Sequence, residues 1–420
     1  MKKNYLLMKK ICAVMAVVLL LSCSEETTLV AVSGIEIRSE EYSLRPGETL
    51  QLTALLSPDD ATGFDRAVWS SDDESVATVD PSGLVTGIRE GEVTISVTTG
   101  YADASLTLRV GPDIYIVGDH GGLNTLWKNG RKVWSDGFGG KMSRILAQGG
   151  HTYIAAFATD PVTAYNHARL YVDGEATQLS GRFSEAYAVA VSGNDVYVAG
   201  CECEDEEYDM LKNRPVLWHN GVPSYLADYG YANDMVVAGA DIYVAGFVTH
   251  DWNNDATLWK NGRAQKLSDS GISAATGIAV HGEDVYVSGS DVDPETFTTY
   301  AVVWKNGIPE RYEEHAVVTD ICVSPEGDLF ASGYVVDYAN RTASAAMWKN
   351  RQRIDLDSGG LEANAMSIRI SGGRVYVAGI TRQAAGISAT RAVLWVDGTL
   401  VPLEDDPRTS ATAYSVAIVE

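Results

Sequence analysis

The side chains best suited to chemistry lie in the segment His250-Asp251-Trp252-Asn253-Asn254-Asp255. It combines an aromatic ring with an imidazole, carboxylates and amides. Such a set suits sugars, which stack on aromatic faces and hydrogen-bond to carboxylates. The candidate ligand-binding residues, all expected on one surface, are Trp252, His250, Asp251, Asn253, Tyr165, Tyr208, Tyr300 and Tyr338. For any single aromatic residue among them, packing of a loop against the core is the simpler role.

A second unusual segment is Cys201-Glu202-Cys203-Glu204, which continues into further acidic residues. Thiolates and carboxylates bind metals, but Cys-x-Cys alone is an unspecific pattern and no histidine lies near it in the sequence. We therefore predict no metal and no cofactor. An i, i+2 disulfide would be strained, so we expect one thiol to be buried or paired elsewhere.

Recognised catalytic motifs are largely missing. The chain has no Gly-x-Ser-x-Gly, no His-Glu-x-x-His and no phosphate-binding glycine loop. We predict a protein that is not an enzyme. The alternative is a polysaccharide lyase or glycoside hydrolase that uses acids around a central opening. An enzyme should gather several ionisable side chains with perturbed pKa in one funnel, whereas a binding protein should show a shallow aromatic patch.

Composition limits the class of protein. The 420 residues exceed one ordinary core and suggest two or three domains, and the 45% hydrophobic content is normal for a folded chain. The net charge of −24 argues against nucleic acid or an anionic membrane surface as the ligand.

The N-terminus has the pattern of an export signal. Lys9 and Lys10 precede an apolar run over residues 11–21 that is too short to span a bilayer comfortably. Leu20-Leu21-Ser22-Cys23 resembles the lipobox of bacterial lipoproteins, which implies cleavage after residue 22 and lipidation of Cys23. A plain signal peptide is the alternative, and either Met1 or Met8 could be the start.

The acidic residues after Cys23 resemble an export tag of surface lipoproteins in some Gram-negative bacteria. We therefore expect residues 1–22 to be a signal peptide and residues 23–31 a tether. The chain would be attached to the outer membrane or cell surface only through its lipid.

A repeat dominates the rest of the chain. Asp-Val-Tyr-Val-Ala-Gly at residues 195–200 recurs with small changes, and its aromatic residues lie 38 to 46 positions apart: Tyr115, Tyr153, Tyr197, Tyr243, Tyr286, Phe330 and Tyr376. Each copy is followed by an apolar strand and a turn such as Leu-Trp-Lys-Asn-Gly, and Asn-Gly or Asp-Gly favours a two-residue type I′ hairpin. Four strands in about 40–45 residues are typical of a propeller blade.

The count of strands predicts how the propeller closes. The first repeat lacks a first strand, and residues 413–419 form a first strand without a successor. We therefore predict a seven-bladed β-propeller over residues 113–420, with its C-terminal strand beside residues 113–118, because pairing removes two open edges. Arg351 replaces the turn glycine in the sixth copy, so that turn should be strained or of another type.

The blade model also predicts a binding face. If strands A to D run from axis to rim, the B–C and D–A connections share one face, which we call the B–C face. Its B–C loops vary in length, and variation on one face of a fixed scaffold is typical of a binding surface. Neutral drift of loop length is the alternative.

Residues 32–110 form a separate unit. Alternating strands are expected near residues 35–37, 50–55, 67–70, 77–79, 93–97 and 104–110, which indicates a β-sandwich. Val68-Trp69-Ser70-Ser71, the segment 75–80 and Gly91-Glu92-Val93-Thr94-Ile95 resemble the bacterial Ig-like domain, group 2. The resemblance implies a spacer in a surface protein, with Trp69 in the core.

The whole chain is thus expected to be all-β, an Ig-like sandwich followed by a propeller. We expect a monomeric, lipid-anchored protein with a binding or adhesion role, and a glycan or a surface protein as its partner on the B–C face. A structural subunit of an envelope assembly would instead expose an apolar rim.

Overall fold

The computed structural model describes residues 30–62, 66–204, 212–251, 253–382, 389–403 and 408–420. Within these residues the regular structure is β-sheet, without an α-helix, so the all-β prediction is confirmed. The described part of the chain accordingly holds no helix long and apolar enough to cross a membrane. Two compact units meet between Gly111 and Pro112.

The first unit is a small sandwich of nine strands. They are β1 (Gly34–Arg38), β2 (Ser43–Leu44), β3 (Thr49–Gln51), β4 (Thr53–Ser57), β5 (Val68–Ser71), β6 (Ala77–Val79), β7 (Leu84–Gly87), β8 (Gly91–Thr98) and β9 (Asp103–Val110). The sheet β2-β9-β8-β5 provides one layer, and the sheets β1-β4 and β3-β7-β6 provide the other strands.

Alternation of side chains explains this core. In β8, Val93, Ile95 and Val97 are buried and the intervening residues are not, as expected when one face of a strand packs inward. Trp69 packs against the same core, as predicted. The predicted strand over residues 50–55 is divided at the buried Leu52, and β2 and β7 were not among the predicted strands.

Within the described residues the second unit contains 28 strands, each four to ten residues long. They are β10 (Asp113–His120), β11 (Leu123–Lys128), β12 (Arg131–Ser135), β13 (Gly140–Gln148), β14 (His151–Thr159), β15 (Asn166–Val172), β16 (Glu175–Gln178), β17 (Ser184–Ser192), β18 (Asp195–Cys203), β19 (Asn213–His219), β20 (Val222–Tyr225), β21 (Gly230–Ala238), β22 (Asp241–His250), β23 (Asn253–Lys260), β24 (Arg263–Lys266), β25 (Ser273–His281), β26 (Asp284–Val292), β27 (Thr299–Lys305), β28 (Ile308–Glu314), β29 (Ala316–Val323), β30 (Leu329–Asp337), β31 (Thr342–Lys349), β32 (Gln352–Asp355), β33 (Glu362–Ser371), β34 (Arg374–Arg382), β35 (Thr390–Val396), β36 (Thr399–Pro402) and β37 (Ala411–Val419).

Among the described residues these strands form seven four-stranded antiparallel sheets, each a blade. Blade 1 has the order β37-β10-β11-β12, and blades 2 to 7 each take four consecutive strands, from β13-β14-β15-β16 to β33-β34-β35-β36. Strand β37 pairs with β10, with Asp113 opposite Val419 and Val117 opposite Ser415. The predicted closure by the C-terminal strand is therefore confirmed.

One buried aromatic residue of each third strand holds neighbouring blades together. Six of them are tryptophans, and Tyr171 takes the place in blade 2. Trp304 of blade 5 packs against Tyr243 of blade 4, and Trp127 of blade 1 packs against Tyr376 of blade 7. Seven such clusters join the blades in a closed ring, because the last interface leads back to the first.

The repeated Asp, Lys and Asn residues form a clamp on the face opposite the B–C face. In blade 4, Lys260 Nζ lies 2.8 Å from Asp241 and above the ring of Tyr243, while Asn261 Nδ2 donates to Asp241 at 2.7 Å. Asn261 Oδ1 accepts from the backbone N–H of Ile242 at 2.8 Å. The motif that marks the repeat is therefore used for turn structure and not for a ligand.

Blades 2 and 7 reverse the charges of this clamp. Their turn residue is Asp173 or Asp397, and the residue that begins the second strand is basic. His151 Nδ1 lies 2.6 Å from Asp173, and Arg374 Nε lies 2.9 Å from Asp397. A carboxylate thus faces a nitrogen-bearing side chain in both versions, which explains why the turn and the start of the strand change together.

The seven turns between third and fourth strands share one geometry. Their Asn or Asp residues have φ between 48° and 53°, as a type I′ turn requires. Arg351 adopts φ 72°, where the other six copies have glycine. The turn is thus of the same type, with the strain that a side chain brings in this region.

A β-bulge interrupts the innermost strand of every blade at the same position. The residues left without a partner are Tyr414, Ser143, Tyr187, Asn233, Thr276, Thr319 and Met366, in blades 1 to 7. Several of them reach the next blade: Thr276 donates to the carbonyl of Val318 at 2.7 Å, and Thr319 donates to that of Ala365 at 2.9 Å. The bulges therefore help to join adjacent blades near the axis.

Charged residues near the bulges form ion pairs across the central axis of the propeller. Arg144 of blade 2 lies 2.6 Å from Asp234 of blade 4 and 2.8 Å from Asp320 of blade 6, and Arg369 of blade 7 lies 2.9 Å from Asp320. Burial alone would raise the pKa of Asp320, but the two guanidinium groups outweigh it and lower that pKa. Since blades 2, 4 and 6 are not neighbours, Arg144 spans the centre of the ring.

Candidate functional site

Connections of unequal length form the B–C face. The second and third strands are joined across only Gly121 and Gly122 in blade 1, but across residues 204–212 in blade 3. The opposite face carries the uniform clamp turns. Length variation is therefore present on the predicted face, although the connection between the first and second strands of blade 6, residues 324–328, also exceeds the two residues found in blades 2 to 5 and 7.

The B–C face carries an open pocket of about 540 Å³ between blades 3 and 4. Residues 227–229 line one side, and Thr249, His250 and Asp251 line the other. A backbone hydrogen bond of 3.1 Å from Thr249 N–H to the carbonyl of Tyr229 joins the two segments. This hydrogen bond continues the pairing of β21 with β22, so both sides of the pocket are held by blade 4.

A contact with the buried carboxylate of Asp255 positions the imidazole of His250. Its Nε2 lies 2.6 Å from the buried Asp255, which also receives Lys266 Nζ at 3.1 Å. Burial alone would raise the pKa of Asp255, but the hydrogen bonds from His250 and Lys266 outweigh it and lower that pKa. Nδ1 of His250 has no hydrogen-bond partner within the described residues and is available to a ligand.

Three of the predicted site residues are neighbours in the structure. His250 ends β22, Asp251 follows with φ 48°, and Asn253 begins β23 opposite His250. Asn253 is exposed beside the pocket, although it does not line it. Trp252, Tyr208 and Cys23 lie outside the described residues, as do residues 1–29 as a whole.

The remaining predicted residues lie in other blades and are not brought together. Tyr165 packs edge-on against Phe183, with 6.5 Å between ring centroids, and Arg311 lies 4.1 Å above the ring of Tyr300. Tyr338, 62% exposed, meets the imidazole of His315 at 4.9 Å. The three described aromatic residues of the prediction, Tyr165, Tyr300 and Tyr338, therefore stand in blades 2, 5 and 6.

Tyr229 and Asp228 complete the pocket, although neither was among the predicted site residues. Both are exposed and follow the last strand of blade 3, β20, in the connection to blade 4. The tyrosine is 44% exposed, an unusual amount for a large aromatic ring. The only sequence signal was the pair Tyr229 and Tyr231 ahead of a first strand, and it does not show which of the two faces solvent.

The cysteines of the acidic segment are structural. Cys201 and Cys203 are both fully buried and are not joined in a disulfide. Burial raises the pKa of the Cys201 thiol, and that of Cys322 to about 12. Among the described residues no group of three or more His, Cys, Asp or Glu side chains is arranged to hold a metal.

The pocket offers an aromatic face, two carboxylates, a hydroxyl and an imidazole. Tyr229 can stack on the apolar side of a ring, while Asp228 and Asp251 accept hydrogen bonds from hydroxyl groups. The Thr249 hydroxyl donates to Asn254 Oδ1 at 2.9 Å and can still accept a hydrogen bond, whereas Nδ1 of His250 can donate or accept. A polyhydroxylated ring satisfies all of these groups.

Comparison with known proteins supports the first unit directly. Residues 31–110 match the family model described as bacterial Ig-like domain (group 2). This segment is similar to parts of two enzymes: Lacto-N-biosidase of Bifidobacterium bifidum, 42% identical over 98 residues, and Alpha-L-arabinofuranosidase of Bifidobacterium longum, 41% identical over 87 residues. These matches cover 23% and 20% of this chain but only 8% of each enzyme.

Solved structures resemble the chain more broadly but at low identity. The β-propeller domain of the Trilobed protease from Pyrococcus furiosus shares 10% identity with a TM-score of 0.43, covering 90% of this chain and 98% of that one. A sialidase of Trypanosoma rangeli in complex with sialic acid shares 9% identity with a TM-score of 0.35, covering 70% of this chain and 55% of that one. Residues 31–110 are thus a bacterial Ig-like domain of group 2, followed by a β-propeller in an all-β chain.

Proposed function

We propose that this protein is a glycan-binding surface lipoprotein whose propeller binds sugar without catalysis. The pocket formed by residues 227–229 with Thr249, His250 and Asp251 is the observation that supports the proposal. Its mixture of one exposed aromatic face with hydroxyl, imidazole and carboxylate groups suits a sugar ring better than an apolar protein surface. A surface protein as partner is the competing outcome.

The remaining parts of the chain fit this role as attachment and spacing. Cys23 would carry the lipid, residues 24–31 would act as a tether, and the Ig-like domain would hold the propeller away from the membrane. Labelling with a radioactive fatty acid in a Gram-negative host tests the anchor: label should enter the parent chain and be absent from Cys23→Ser. Equal labelling of both would contradict lipidation at Cys23.

A binding screen tests the pocket. The chain from Glu25 onward is applied to immobilised neutral oligosaccharides of glucose, galactose, mannose and xylose, beside Tyr229→Ala and His250→Ala. We expect each variant to bind at least tenfold more weakly, because stacking and a polar contact are lost. Tyr338→Ala is the matched control, since it removes an exposed tyrosine of the same face in blade 6.

Two results would contradict the proposal. Absence of binding by the parent chain to every oligosaccharide would exclude a glycan ligand of this set. Release of shorter sugars from a bound oligosaccharide during prolonged incubation would show catalysis and favour the hydrolase or lyase alternative. Trp252→Ala in the same screen tests the remaining residue of the predicted cluster.

A further inference from the structure

A second group of polar side chains meets at the inner end of the B–C face. Lys141, Glu185 and Tyr231 occupy the same position in the innermost strands of blades 2, 3 and 4, two residues before the bulge. Tyr414 and Tyr187 are the bulge residues of blades 1 and 3. All five are half-buried, so part of each side chain is accessible to a ligand. We call them the axial cluster.

Contacts join the cluster across four blades. Lys141 Nζ lies 4.5 Å from the centre of the Tyr414 ring and interacts electrostatically with Glu185. Glu185 accepts hydrogen bonds from Tyr187 and, at 2.6 Å, from Asn166. The rings of Tyr187 and Tyr231 are 6.3 Å apart. The side chains are therefore neighbours across blades 1 to 4 and do not simply pack within their own blades.

Lys141 differs from the other lysines on tyrosine rings. Lys260 and Lys305 also lie over tyrosines, but each forms a 2.8 Å ion pair with a clamp aspartate. Within the described ranges the ammonium of Lys141 has no hydrogen-bond acceptor and no ion-pair partner within 4 Å. Since a half-buried ammonium without an acceptor is unfavourable, its N–H groups are available to a bound molecule.

The chemistry of the cluster favours an uncharged, hydroxyl-rich ligand. Lys141 can donate to a hydroxyl oxygen, and Glu185 can accept from a hydroxyl. Asp119, whose pKa is raised by burial, interacts with Tyr414 and adds a second carboxyl group nearby. An acidic ligand would meet both carboxyl groups, and the chain as a whole carries a net charge of −24. Tyrosine rings supply a surface for the apolar side of a sugar.

A network of charged side chains beyond the axial cluster blocks passage of a chain along the axis. The network of Arg144 with Asp234 and Asp320 lies farther along the same innermost strands and spans the axis. A glycan can therefore enter from the B–C face only by its end. We propose that the axial cluster binds the terminal residue of a neutral glycan, with Lys141 as hydrogen-bond donor and Glu185 as acceptor. This inference rests on the proposed glycan-binding function and identifies the kind of glycan and the part of it that is recognised.

The test uses Lys141→Met and Glu185→Gln in the chain from Glu25, on the same neutral oligosaccharides attached through their reducing ends. Lys260→Met is the matched control, because it removes a lysine from a tyrosine ring on the opposite face. We expect both axial variants to bind at least tenfold more weakly and the control to bind like the parent. O-methylation of the terminal sugar should weaken binding to the parent by a similar factor.

The outcomes separate this inference from the proposed function. Binding that is lost in Tyr229→Ala but unchanged in Lys141→Met and Glu185→Gln would overturn the axial site and leave the pocket as the glycan site. If the parent chain binds oligosaccharides with methylated and unmethylated terminal sugars equally well, the proposal that it recognises the terminal sugar is overturned. No binding by the parent would overturn both proposals. Urea unfolding of each variant shows whether a loss of binding comes from the missing contact or from a loss of folded structure. If Lys141→Met is unfolded, the binding of Glu185→Gln provides the test.

Discussion

Nη1 of Arg144 lies 2.8 Å from Oδ2 of Asp320, although 176 residues separate the two in the chain. The arginine side chain is 11% exposed and the aspartate 2%, so water contributes little to either charge. The contact can form only after blades 2 and 6 occupy the same ring. It therefore connects closure of the propeller to a small number of buried charges.

We expect Arg144→Met to lower the free energy of unfolding by about 3–5 kcal/mol, because it removes the guanidinium beside the buried Asp234 and leaves the buried Asp320 with Arg369 alone. Urea unfolding of the propeller measures the change. Arg353→Met is the control, since Arg353 pairs with Glu313 and Asp355 at the surface and should cost less than about 1 kcal/mol. Equal losses in the two variants would contradict a special role for the axial network.

The clamps predict acid sensitivity. Hydrogen bonds from Lys305 and Asn306 lower the pKa of Asp284 below its ordinary value of 3.8, and Asp241 and Asp328 behave in the same way. A group whose pKa is lower in the folded state stabilises above the unfolded pKa and loses this effect as pH falls through the folded pKa. We expect the urea midpoint to fall steadily below about pH 4. Asp284→Asn should weaken that dependence, and an unchanged pH profile would contradict the role of the clamps.

The clamps with exchanged residues in blades 2 and 7 predict that the same exchange can be made in blade 4. Asn261→Asp should lower the urea midpoint, because it places a second carboxylate beside Asp241. In a chain that also carries Lys260→Val, the residue that blade 7 has as Val396, adding Asp241→Arg reproduces the Arg374–Asp397 pair and should restore the midpoint. A double-mutant cycle measures the coupling. Additive losses would show that the two positions act independently.

The turn at Arg351 predicts a stabilising substitution. Its φ of 72° is unfavourable for a residue with a side chain, so Arg351→Gly should raise the free energy of unfolding by about 1 kcal/mol. Gly262→Ala provides the converse control, because φ is 78° and an added Cβ meets no atom within 4 Å. A higher free energy of unfolding in both variants, or in neither, would contradict the interpretation that the backbone is strained at Arg351.

Because the C-terminal strand pairs with β10, we predict that its removal disrupts the whole propeller. Removal of residues 411–420 exposes the edge of β10 and the buried faces around Trp127 and Tyr376. We expect the truncated chain to aggregate or to lose its single unfolding transition, as seen by circular dichroism and size-exclusion chromatography. Glu420→Gln, which retains the strand, is the control. A truncated chain that unfolds like the parent would contradict closure by this strand.

Most of the blade could be predicted because its determinants are local. Asn-Gly after Trp-Lys specifies a hairpin wherever it stands, and the aromatic positions mark strands at a regular spacing. The unpaired first repeat and the extra last strand even specified how the ends meet. The pocket was harder to predict from the sequence. His250 and Asp251 were predicted, whereas Asp228 and Tyr229 come from a connection with no comparable sequence signal.

By itself the sequence determined the all-β class, the Ig-like unit, the repeat and the pairing of β37 with β10. The first three follow from patterns within strands and hairpins, and the pairing follows from the first strand that the first repeat lacks and the extra strand after the last repeat. Only the tertiary structure decided that Lys141, Glu185 and Tyr414 lie together near the axis and that Arg144 reaches Asp234 and Asp320. These side chains stand in different repeats and meet near the axis only when the ring closes. Such an arrangement has no local signature in the chain.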